Sequence, residues 1–273
     1  MSKYAYVTVM TNDQYECGVL ALWHSVKKAG CRQPFIAMIS SNVSEAVKKR
    51  LQKLMKIVEF SEDIQIDSEI VKDNTGFFEK WNTTFFKLKV LQLCEYDKIV
   101  MLDADMIVMK NLDNLFEHPH MSCVYTEKLR EGDNPRINSG MMVLEPSQEL
   151  YETMINAIAP TKHVCEGKAI GDQDVFEFVY SDWTKKKELH LEPTYNCYHT
   201  DIDDYIKNRE FKFEEIYIIH YTLNKPWEIS NSIIFKQILL KMIGLYKSKY
   251  VLKSNLIWKK QYRQAVRVLK SNK

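Results

Sequence analysis

Two aspartates, Asp103 and Asp105, close the apolar run Ile99-Val100-Met101-Leu102 with only Ala104 between them. In an extended segment, residues i and i+2 point to the same side, so both carboxylates can face one ion. Two acids held together at the end of a buried strand are costly unless a cation compensates them. Oxygen ligands joined by an imidazole suit Mn²⁺, or alternatively Mg²⁺, carrying a phosphate-bearing substrate. The plainer reading is a strand end with solvated acids.

The surrounding pattern has to bring such a pair to a crevice. Tyr4–Met10 reads as a first strand, with Thr11-Asn12-Asp13 capping a helix from Gln14 to Ala29 that Gly30 ends. Pro34–Ile39 is a second strand, Ser44–Met55 a helix, and Ile57–Phe60 a third strand. That β-α-β-α-β order predicts a mixed, mainly parallel sheet between helices. Asn82–Cys94 is expected as a helix, Lys98–Leu102 as the strand feeding the acid pair, and Met121–Thr126 and Gly140–Glu145 as further strands. Ser147–Ala159 and Asp172–Tyr180 read as helices and Ile216–His220 as a late strand. Open α/β sheets place ligands beyond the carboxyl ends of their strands. Asn12, Asp103 and His220 all fall at such ends.

Six blocks in order make the pattern specific: Thr11-Asn12-Asp13 with Tyr15; Lys87 in Phe85-Phe86-Lys87-Leu88; Asp103-Ala104-Asp105; Asn138-Ser139-Gly140; Gly171-Asp172-Gln173; and His220-Tyr221 with Lys225-Pro226-Trp227. Over roughly residues 4–227 the chain resembles the glycogenin-like branch of glycosyltransferase family 8. Haloacid-dehalogenase-type phosphatases also use an acid-x-acid pair. Theirs usually sits on the first strand and is followed by Thr or Val, whereas this one comes after several strands and precedes Met106.

The resemblance implies a GT-A, Rossmann-like nucleotide-sugar-binding fold and a retaining, Mn²⁺-dependent transfer of a hexose or related sugar from a UDP-sugar to a hydroxyl acceptor. It implies Asp103, Asp105 and His220 as metal ligands, with Ala104 in the same donor-binding loop. Thr11, Asn12 and Tyr15 would form the uridine pocket, and Lys87 and Lys225 would reach the donor's phosphates or sugar. Asn138, Ser139, Asp172 and Gln173 would line the sugar and its anomeric carbon, with Asp172, Gln173 and Lys87 as the catalytic set. Asp174 is expected to start its helix, where an acid is favoured. The resemblance also makes a homodimer an expectation. Two departures from the glycogenin pattern bear on the donor: Ala169 stands where glycogenin carries a sugar-contacting acid, and Tyr221-Thr222-Leu223-Asn224 lacks the usual glycine between the metal histidine and the lysine. A self-glycosylating primer, or a catalytically weak UDP-sugar binder, is the alternative activity.

Composition narrows the classes. The 273 residues are 45% hydrophobic and 27% charged, ordinary for a globular chain, and the net charge of +2 argues against a nucleic-acid partner. No apolar run approaches the roughly 20 residues of a membrane-spanning helix. The amino terminus alternates like a strand and does not read as a signal peptide, so a soluble, cytoplasmic protein with six reduced cysteines is expected. Residues 1–229 read as the catalytic domain. Residues 230–273 read as a basic helical extension, apolar at helical spacing over Ile233–Leu245, that packs on the domain, pairs with a second copy or lies on an anionic membrane.

Overall fold

The computed structural model describes residues 3–60, 64–126, 136–209, 211–222, 225–242 and 248–272. The chain enters through β1 (Tyr4–Met10), α1 (Glu16–Lys28), β2 (Phe35–Ser40), α2 (Glu45–Gln52) and β3 (Lys56–Phe60), as the alternation predicts. Short α3 (Ser68–Asp73) follows, then β4 (Lys98–Leu102), β5 (Met106–Val108), β6 (Ser122–Thr126) and β7 (Arg136–Leu144). Helices α4 (Gln148–Val164) and α5 (Asp172–Val179) lead to the two-residue strands β8 (His190–Leu191) and β9 (Cys197–Tyr198). After α6 (Ile202–Arg209) and β10 (Ile218–His220), the chain ends in α7 (Asn231–Met242) and α8 (Lys249–Ser271).

Seven strands form one sheet in the order β3-β2-β1-β4-β7-β6-β8, and a second sheet runs β5-β10-β9. The first four strands are parallel, β7 is antiparallel to β4 and to β6, and β8 is parallel to β6. The sheet is thus mixed and mainly parallel, as expected. Its central strands are buried on both faces because alternate residues feed two cores. Tyr6, Ala37, Ile39, Val100 and Leu102 join one cluster, while Val7, Ile36, Met38, Ile99 and Met101 join the other.

Several expected elements have other bounds; β7, for instance, starts at Arg136 and not at Gly140. Residues Gly76–Gln92 form a long 3-10 helix instead of an α-helix over Asn82–Cys94. Here the Thr84 hydroxyl bonds the Trp81 carbonyl at 2.9 Å and competes with regular helical bonding. Three residues per turn eclipse side chains i and i+3, so Trp81, Thr84 and Lys87 share one face. Helix α4 runs through Pro160 to Val164, where the sequence predicts an end at Ala159. The Thr161 hydroxyl bonds the Ala157 carbonyl at 2.7 Å in that last turn. The apolar tail helix spans Asn231–Met242; the expected residues 243–245 lie outside the described residues.

Candidate active site

Strand pairing explains how residues more than a hundred positions apart converge. β10 runs antiparallel to β5 with His220 opposite Met106, the residue that follows the acid pair. The Tyr221 amide donates to the Asp105 carbonyl at 2.9 Å, and the Asp103 amide to the Gly140 carbonyl at 2.8 Å. β7 therefore delivers Asn138, Ser139 and Gly140 to the same edge. Gly140 is required by close approach: a Cβ there would stand 2.6 Å from His220 Cε1. Gly18 does the same for α1, where a Cβ would meet the Ala104 carbonyl oxygen at 2.4 Å.

His220 Nε2 lies 3.2 Å from Asp105 Oδ1 and 3.7 Å from Asp103 Oδ2. One ligand atom from each of the three falls within 4.8 Å of the others. Neighbouring ligands of a six-coordinate ion with bonds of about 2.1 Å are themselves about 3 Å apart, so the spacing fits a small divalent cation. The opposite ring nitrogen, His220 Nδ1, is 2.8 Å from Asn196 Oδ1. Donation from Nδ1 leaves the Nε2 lone pair aimed at two carboxylates, an orientation that a cation between them satisfies.

Lysines balance the acids. Lys87 Nζ is 2.7 Å from Asp103 Oδ1 and 3.5 Å from Asp172 Oδ2, and Lys225 pairs with Asp105. Three carboxylates against two ammoniums leave the cluster at −1 with neutral His220; a divalent ion turns it to +1, ready for an anionic ligand. Burial, reinforced by Asp105, holds the Asp103 carboxyl above the usual range despite Lys87. Burial also acts on Asp105, but His220 and Lys225 draw it well below. Lys87 is raised: the pull of Asp103 and Asp172 outweighs its burial.

These groups open into a cavity of about 340 Å³. Of the sequence-predicted residues, Thr11, Tyr15, Lys87, Asp103, Ala104, Asp105, Asn138, Ser139, Asp172, Gln173, His220 and Lys225 all line it. Asn12 is not among the lining residues: its side chain accepts from the Gln14 amide at 3.0 Å and caps the turn before α1. Asp172 is 4% exposed, and its Oδ2 has no hydrogen-bond partner. The Asp172 amide donates to Thr84 Oγ1 at 3.2 Å, and Gln173 Oε1 accepts from the Ser139 amide at 3.4 Å. Asp174 starts its helix, accepting from the Gly171 amide at 2.8 Å, and also pairs with Arg136.

Sequence reasoning passed over Trp81, Thr84, Arg136, Asn196 and Tyr198. The period-three face carrying Trp81 and Thr84 is hidden by the helical reading, although its third member, Lys87, was found. Arg136, paired with Asp174 and Glu177, adds a cation to the cavity wall. The Tyr198 hydroxyl accepts from Asn138 Nδ2 at 2.5 Å, and its ring packs edge-on with His220. Asn196 bears on the site only through His220, which no spacing rule exposes.

A Rossmann-like sheet with an acid-x-acid pair at a strand end and an imidazole across from it is the GT-A architecture. In fold, the chain is similar to the galactosyltransferase LgtC solved with donor and acceptor sugar analogues: TM-score 0.59 at 14% identity, covering 89% of this chain and 96% of that one. The model of glycosyl transferase family 8 matches residues 6–230, and the chain belongs to that family. It is 32% identical over 191 residues to glycogenin-1 of Caenorhabditis elegans, covering 69% of this chain and 42% of that protein. It is 28% identical over 250 residues to inositol phosphorylceramide glucuronosyltransferase 1 of Arabidopsis thaliana, covering 83% of this chain and 43% of that one. The chain thus spans less than half the length of both relatives, and the glycogenin-like resemblance is borne out.

Proposed function

We propose that the chain transfers a hexose or related sugar from a UDP-sugar to a hydroxyl acceptor with retention of configuration. Asp103, Asp105 and His220 would hold Mn²⁺, with Mg²⁺ as the alternative. The observation that carries this reading is the meeting of those three side chains with Lys87, Lys225 and Asp172 in one cavity. When bound, the ion offsets the negative charge that grows on the departing diphosphate.

The chain's own groups supply the rest. Lys225 and Lys87 leave their carboxylate partners for phosphate oxygens, as compact ammonium charges on flexible stems. Tyr15 and Thr11 receive the uracil ring and its polar edge. Asn138 and Ser139 orient the sugar, and the buried Asp172 carboxylate, 3.5 Å from Lys87 and released as that lysine turns to phosphate, is the group available to an electron-poor anomeric carbon. It serves either as a nucleophile or as the charge partner of a front-face attack, with the Gln173 amide beside it.

A panel of UDP-sugars scored for metal-dependent hydrolysis tests the proposal, because water replaces an unidentified acceptor. Release of UDP from at least one donor, abolished by chelation, is expected; no turnover with any donor would sink it. One observation favours self-modification as a second reading: the Tyr198 hydroxyl already sits at the cavity wall on Asn138. A fixed gain of hexose mass on the intact protein, lost in Tyr198→Phe, separates it from transfer to an added acceptor.

A further inference from the structure

The carboxyl-terminal extension divides its two helices between different tasks. α8 packs along α1, burying Leu252, Trp258 and Ala265. Trp258 stacks on Tyr262 at 5.3 Å and meets Trp227 at a tilt, with ring centroids 5.7 Å apart. Helix α7, by contrast, buries Ile234 and leaves Ile233, Phe235, Leu239 and Met242 outward, with Phe235 62% and Met242 78% exposed. Between the helices runs a groove of about 670 Å³, with Phe235, Ile238 and Leu256 in its apolar part and Lys260, Arg263 and Arg267 along it. Among the described residues, none of those three cations has an ion-pair partner.

Charge is partitioned just as sharply. Residues 230–273 hold eleven Lys or Arg and no acid. With the whole chain at +2, the preceding 229 residues stand at −9. An anionic surface repels that body and attracts the tail, so any encounter is tail first. Among the described residues, no helix is long and apolar enough to cross a membrane. Large exposed apolar side chains beside unpaired cations are the composition of a helix that lies in a lipid interface.

We infer that the outer face of α7, with the cationic groove beside α8, seats the protein on an anionic phospholipid surface. Phe235, Leu239 and Met242 enter the headgroup boundary while Lys260, Arg263 and Arg267 meet lipid phosphates. Long basic side chains can do both at once, laying their stems on apolar surface and their charges in the polar layer. Trp227 connects this surface to the sugar-transfer cavity, since it touches Trp258 on one side and Tyr15, a cavity residue, on the other.

Co-flotation of the full chain with phosphatidylcholine vesicles, with and without phosphatidylglycerol, tests this without reference to enzymatic activity. Binding should require the anionic lipid and weaken as salt is raised. The pairs Phe235→Ser/Met242→Ser and Arg263→Glu/Arg267→Glu should each lower partitioning about tenfold or more while leaving the melting temperature near that of the parent chain. All four substituted side chains are exposed, so loss of fold is separable by that melt. Equal binding to neutral vesicles, or undiminished binding by both variants, overturns the inference. So does a solution dimer that Phe235→Ser/Met242→Ser converts to a monomer without any vesicle binding, since the face would then belong to a second copy.

Discussion

Asp103 and Asp105 stand two positions apart, the first half-buried and the second buried, and their environments push them in opposite directions. Burial dominates at Asp103, whereas His220 and Lys225 dominate at Asp105. The proposed metal site needs each of them as an anionic ligand. Asp103→Asn or Asp105→Asn should therefore abolish the Mn²⁺-dependent rise in melting temperature that UDP gives; full stabilisation in either variant contradicts the metal assignment. Asp172 is proposed to have a different job, since it meets the metal cluster only through Lys87 and is not one of the three grouped ligand residues. Asp172→Asn should leave UDP affinity within about twofold by calorimetry while lowering turnover about a hundredfold or more. Unchanged sugar transfer would remove Asp172 from the chemistry.

Among elements, the β5-β10-β9 sheet matters most, because it carries the imidazole to the acids. Gly140 of β7 leaves the space that the His220 ring occupies. A methyl group there must displace the ring, so Gly140→Ala should weaken Mn²⁺ about 10- to 100-fold in a metal titration, comparable to loss of a supporting partner. Just after β9, His199 is buried against Tyr221, and its amide bonds the His220 carbonyl at 2.9 Å. Burial pushes its imidazole down to about 4. The unfolded chain takes up that proton near pH 6.5 and the folded chain does not. Stability is thus full above pH 6.5 and falls as pH drops toward 4, by on the order of 3 kcal/mol. Urea unfolding across that window should show the slope, and His199→Asn should flatten its share of it.

At the scale of the whole molecule, residues 230–273 divide between structural and surface duties. Trp258 is among the largest fully buried side chains and joins α8 to Trp227 and the β10 cluster. Trp258→Ala should cost about 3–5 kcal/mol of unfolding free energy, measured by denaturant titration. A loss near zero would mean that α8 is detachable from the domain. The expected packing of the tail is thus carried by α8, while the apolar stretch singled out from the sequence, now α7, keeps most of its large side chains outside.

Local chemistry was legible before the fold. The alternation of strands and helices follows from hydrophobic periodicity. The i, i+2 acid pair follows from strand geometry, and the late histidine and lysine from the order of the blocks. What periodicity cannot encode is pairing between distant segments: the His220–Met106 register, the steric gap at Gly140 and the Asn196 bond to His220 exist only once β10 lies beside β5. Asn12 shows the converse, since a residue at a strand end offers the same side chain to a ligand or to its own helix, and here the Gln14 amide takes it. Sequence determined the classes of residue available to the candidate site; tertiary structure decided which of them share one cavity, because long-range pairing and burial set side-chain direction.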